Sequence, residues 1–182
     1  MSRIAVFFPG IGYHCDKPLL YYGRDVAMEC GYQDQIRVEY SYDGGKIRGD
    51  ADKMLEAFNT LYLKASKQLD EIDFSIYDDI LFVSKSIGTA VSAKYAQEKH
   101  IDCKNVLYTP LEQTFDFEIK NAIAFTGMAD PWANTDIIKE KSSAAGIPLS
   151  IYMEANHSLE TKDTITNLKI MMDVMDKTKR FI

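Results

Sequence analysis

Short apolar runs alternate with longer helical patterns along the whole chain, and this alternation restricts the fold more than any other feature. Residues 4–9 read Ile-Ala-Val-Phe-Phe-Pro, apolar on both parities, as a strand covered on both faces must be. The glycine turn Gly10-Ile11-Gly12 follows, then a helical pattern over residues 19–30 with Gly31 just past its end. A second strand is predicted over residues 35–42, stopped by Asp43-Gly44-Gly45. Next come a long helical pattern over about 51–70, a strand at 79–83 and a helix from 87 to about 100. Strands at 105–109, 122–126 and 148–153 and helices at 135–145 and 164–179 complete the chain. Strands linked through helices run parallel. The predicted fold is therefore α/β: one domain, residues 1–182, with a doubly wound, mostly parallel six-stranded sheet. No internal repeat, low-complexity tract or linker divides it.

Ligands of such sheets bind beyond the carboxyl ends of the strands, so chemically useful side chains just after a strand are candidates. Ser86 follows the third strand in Ser84-Lys85-Ser86-Ile87-Gly88, a variant of the G-x-S-x-G nucleophile elbow. The motif wants small residues on both sides because strand and helix backbones pass close together; Gly88 keeps the pattern and Ser84 departs from it. Asp130 follows the fifth strand in Gly127-Met128-Ala129-Asp130-Pro131-Trp132, and His157 the sixth in Asn156-His157-Ser158-Leu159. A serine hydroxyl is a weak nucleophile at neutral pH and needs a base within reach. Histidine is that base, and a carboxylate fixes its tautomer.

With these three motifs in the order Ser…Asp…His, the chain resembles a small, lid-less α/β-hydrolase whose first two strands are absent. The resemblance implies Ser86 as nucleophile, His157 as general base and Asp130 as the residue orienting it. It also implies an oxyanion hole of backbone N–H groups: Ile87, after the nucleophile, and Ile11 in the loop after the first strand, with Gly12 close behind. The expected reaction is hydrolysis of a small carboxylic ester or thioester through an acyl-enzyme, with no cofactor and no metal. Acyl transfer would use the same residues. The connection over residues 110–121 leaves room for a short flap carrying Phe115 and Phe117, not for a lid domain, so an open, shallow site is expected.

Each residue also has a plainer reading. Ser86 taken alone reads first as a helix cap, and only with Asp130 and His157 in order as a nucleophile; Asp130 is also a turn opener before proline, and His157 a loop histidine. Glu112, after the fourth strand, is a rival acid. His14, which could also touch substrate from its loop, and His100 read as structural or surface residues, Trp132 as an aromatic packed beneath its loop ahead of one shaping an acyl pocket, and Met171, Met172 and Met175 as a core-facing stripe. Lys85 is expected to point away from the site into solvent. Asp43-Gly44-Gly45 reads equally as a plain turn or as the mouth of the site. Gly10-x-Gly12 after a strand also suggests a dinucleotide fingerprint, with Glu39 or Asp43 on a ribose, yet its third glycine position is Cys15. A hydrolase-like module that binds without catalysis is the other alternative.

The net charge of -6 argues against a nucleic-acid partner. No stretch approaches the roughly 20 apolar residues of a membrane span. Three scattered cysteines and an N-terminus without signal-peptide layout lead to the expectation of a cytoplasmic protein, monomer or homodimer, acting on a small molecule.

Overall fold

A computed structural model describes residues 1–182. Six strands form one sheet, β1 (Arg3–Phe8), β2 (Asp34–Arg37), β3 (Asp79–Lys85), β4 (Lys104–Tyr108), β5 (Ala122–Gly127) and β6 (Leu149–Tyr152). Their order is β2-β1-β3-β4-β5-β6 and every pairing is parallel. The helices are α1 (Pro18–Glu29), α2 (Ala51–Leu69), α3 (Ile87–Lys99), α4 (Thr135–Ala144) and α5 (Thr164–Phe181).

The alternation within β1 explains why the sheet is covered on both sides. Ile4, Val6 and Phe8 enter one apolar cluster with Ala57 and Leu61 of α2 and Val91 of α3. Ala5 and Phe7 enter the opposite cluster with Leu19 and Leu20 of α1 and Ile170 and Val174 of α5. A smaller cluster of Leu107, Ala122, Ala124 and Ile147 fills the far end. The chain leaves β1 toward β2 on one side and reaches β3 on the other. The crevice of the sheet therefore opens between the ends of β1 and β3.

Two expectations need correction. The second strand is shorter than the apolar pattern suggests, ending at Arg37. As an edge strand it has β1 alone for a partner, and after Val38 donates to the Phe7 carbonyl the backbone turns to α2 instead. There the Glu39 N–H and C=O are both held by the Gln68 side-chain amide. The methionine stripe of α5 is not uniform either. Met171 and Met175 pack on the core, whereas Met172 points to solvent because the helical phase turns it outward. No helix is long and apolar enough to cross a membrane.

Candidate active site

The site is assembled from loops after β1, β3, β5 and β6. At the end of β3 the backbone makes a turn that only a forced residue adopts. Ser86 has φ 58° and ψ -130°, outside the usual regions for a residue with a side chain. Its N–H donates to the Tyr108 carbonyl, and its own carbonyl accepts from the Thr89 N–H and hydroxyl at 2.9 and 2.6 Å. Gly88 makes the turn possible: a Cβ there would lie 2.5 Å from the Phe8 and Pro9 carbonyl oxygens. Ser84 fills the position where the motif prefers glycine. Its side chain fits because it lies buried toward β4 and donates to the Val106 carbonyl.

Past β5 and β6 two loops are locked together. The Ala129 N–H donates to the Ala155 carbonyl, and the Met128 N–H donates to the Tyr152 carbonyl. A Cβ on Gly127 would sit 2.1 Å from the Ala155 oxygen, so the close approach of these loops requires glycine. Asn156 stiffens the turn around His157: its side-chain oxygen accepts from the Ser158 and Glu160 N–H groups, at 2.7 and 3.2 Å. The sequence reading passed over this Asx-type role, although a short polar residue at a turn is its usual signal.

The structure brings the three candidate side chains together. His157 Nδ1 lies 2.7 Å from Asp130 Oδ2, and His157 Nε2 lies 2.6 Å from Ser86 Oγ. A carboxylate only accepts, so the ring proton sits on Nδ1 and donates to Asp130. Nε2 is then left with its lone pair toward the serine hydroxyl, which donates to it. The Asp130 side chain is fully buried and its other oxygen accepts from the Trp132 N–H. Glu112, the rival acid, instead accepts from the Asn134 N–H. Trp132 is half-buried, its ring centroid 5.8 Å from that of His157.

The loop after β1 supplies the opposite wall. Gly10 and Tyr13 exchange two backbone hydrogen bonds of 3.1 Å, which puts Ile11 and Gly12 at the tip. The Tyr40 hydroxyl donates to the Pro9 carbonyl and pins the loop from outside. Gly10 itself lies against the serine, since a Cβ there would be 3.0 Å from Ser86 Cβ. The N–H groups of Ile11 and Gly12 meet no protein acceptor. Ile87 opens α3, where the first amides lack an intrahelical partner. The turn is closed on itself and α1 begins only at Pro18, which has no N–H. Gly10-Ile11-Gly12 therefore lacks the glycine-to-helix junction that holds a pyrophosphate.

Lys85 departs most from expectation. It is 3% exposed, not solvated. Both faces of β3 are covered, so parity offers no route to water. Its ammonium lies over the Tyr13 ring, 4.7 Å from the centroid. Burial pulls its pKa down to about 7, against the opposing pull of Asp130 and Glu160. Burial likewise lowers the pKa of His157; the hydrogen bond from its ring to Asp130 raises it, and the positive charge of Lys85 lowers it again. His14 is exposed beside Asp16, and no cluster of His, Cys, Asp and Glu is arranged to hold a metal ion.

No protein-family model matches the chain, and no curated protein sequence matches it. Solved structures do. Est1E from Butyrivibrio proteoclasticus aligns over 99% of this chain and 86% of its own, at TM-score 0.69 and 13% identity. An esterase from Pyrococcus furiosus aligns over 99% and 82%, at TM-score 0.63 and 14% identity. An α/β serine hydrolase without a lid from Xanthomonas campestris does so over 99% and 82%, at TM-score 0.63 and 10% identity. The link from β4 to β5 in this chain is only a 3-10 turn at Glu112–Asp116 with short flanks, held by a 2.6 Å bond between Thr114 and Thr89. Identities this low carry the architecture alone: the chain has the α/β-hydrolase fold.

Proposed function

We propose that the protein is a serine hydrolase that cleaves small carboxylic esters or thioesters through an acyl-enzyme. The observation that carries this reading is the continuous chain from Asp130 through His157 to the Ser86 hydroxyl, at 2.7 and 2.6 Å. Ser86 Oγ attacks the carbonyl carbon while His157 Nε2 takes its proton. The negative charge that develops on the carbonyl oxygen meets the N–H groups of Ile87 and Ile11, with Gly12 adjacent, and each such donor is worth about 100- to 1000-fold in rate. Collapse of the intermediate breaks the bond to the alcohol or thiol, which leaves with the proton from His157. Water then repeats the sequence on the acyl-enzyme and frees the acid. Asp130 holds the imidazole in the required tautomer and stabilises the imidazolium that forms twice per turnover.

Intact-mass spectrometry after exposure to a fluorophosphonate tests the assignment. Wild type gains one adduct, and Ser86→Ala gains none. A folded wild type that stays unlabelled supports a binding module without catalysis instead.

A further inference from the structure

A cleft of about 420 Å³ lies between the start of α2, the first turns of α3 and the 3-10 turn that follows β4. That volume is within the range of small-molecule sites, about 300–1,000 Å³. Its walls are mainly apolar, with Met54, Leu55 and Phe58 from α2 facing Ile87, Leu111 and Phe117. They are also fixed. Phe58 and Phe117 stack with centroids 6.0 Å apart, and the Thr114–Thr89 bond ties the 3-10 turn to α3. Ile87 belongs to both places, because its N–H follows Ser86 while its side chain lines the cleft. Ala90, one turn further along α3, contributes only a methyl group.

Charge narrows the occupant. The ionisable groups on the lining are the carboxylates of Asp50 and Asp116, and no cation is among them. Asp50 caps α2, and Asp116 is paired with Lys141. Asp50 also faces Lys53 at 3.8 Å, so both flanking lysines are already paired and the lining offers an anionic group no free cation. The position of His157 decides which half of an ester enters. The leaving group must reach Nε2, and none of the cleft's walls comes from the loops carrying Asp130 and His157. Ile87, which follows Ser86, is the one residue the cleft shares with the candidate site, and the acyl half is the part of an ester that stays on Ser86 beside it.

We propose that this cleft receives the acyl chain of uncharged aliphatic esters, an inference that rests on the serine-hydrolase reading above. The test is a series of p-nitrophenyl esters from acetate to decanoate, together with alkyl acetates of growing alcohol length. For wild type, kcat/KM rises about fourfold per acyl methylene until the cleft is full, the rise expected from burying one methylene. Ala90→Phe fills the cleft and flattens that rise. Leu55→Asp places a third carboxylate at an exposed rim position, where folding is little affected, and lowers octanoate relative to acetate. A flat acyl series for wild type, a dependence on alcohol length instead, or a Leu55→Asp variant with the wild-type slope would overturn the proposal. Fluorophosphonate labelling of the same preparations separates the two claims. A labelled Ser86 with a flat series removes the cleft assignment and leaves the serine reading intact; an unlabelled Ser86 removes both.

Discussion

Among single residues, Lys85 and His157 form an electrostatic pair next to Ser86. Tyr13, Asp130, His157 and Glu160 are the titratable groups that act on this lysine or lie against it. Burial first, and the positive charge at Lys85 after it, disfavour the imidazolium, so His157 stays neutral to lower pH than an ordinary imidazole near 6.5. The acid limb of kcat/KM accordingly lies below that value. Lys85→Met removes the charge, raises the pKa of His157 and moves the acid limb to higher pH, which a pH–rate profile on an acetate ester measures. The same lysine carries a stability signature. Its pKa is about 7 in the fold and near 10.4 when unfolded, so the unfolded chain binds more protons between those values. Stability of the wild type therefore rises with pH across that window and falls as pH drops toward 7. Urea midpoints at pH 7 and 9.5 should differ for wild type by more than for Lys85→Met; equal differences would contradict the burial argument. Nothing in the sequence marks Lys85 as buried, because it closes an apolar strand where a long charged side chain ordinarily reaches water, and the Tyr13 ring lying against it comes from the distant loop after β1.

At the scale of elements, the elbow depends on two backbones meeting. Gly88 lets α3 start against the end of β1, with carbonyl oxygens of Phe8 and Pro9 where a side chain would begin. Those oxygens belong to the backbone and cannot rotate away. Gly88→Ala should cost at least about 2 kcal/mol, in the range of overpacked cores, read as a lower urea midpoint. An unchanged midpoint would mean that the turn is looser than these contacts imply. Element positions were largely legible in the sequence, since each buried strand carries a continuous apolar run and stops such as Gly31 after α1 and Pro110 after β4 mark the ends. The second strand was not, because Val38 and Tyr40 are buried or half-buried by packing on α2 and on the β1 loop rather than by a ladder. An apolar pattern reports burial, not its hydrogen-bond partner. Asn156 was missed for a related reason: its role lies in the backbone N–H groups it collects, which only the folded turn reveals.

At the scale of the whole molecule, the candidate site exists only when four strand ends are gathered at one edge of the sheet. Ser86 and His157 are 71 residues apart, and Asp130 and His157 are 27 apart. Their grouping was nonetheless readable, because a parallel sheet puts every strand's carboxyl end on the same side. The cleft beside Ile87 was not readable, since its walls come from α2, α3 and the 3-10 turn, whose mutual packing has no local signature. In the proposed reaction this assembly makes Ser86 an acyl carrier. Acid quenching during turnover of a p-nitrophenyl ester, followed by intact-mass analysis and peptide mapping, tests it most directly. One acyl increment is expected, located on the peptide containing Ser86 and absent from Ser86→Ala. Turnover with no acylated protein, or with the acyl group on another residue, would contradict it.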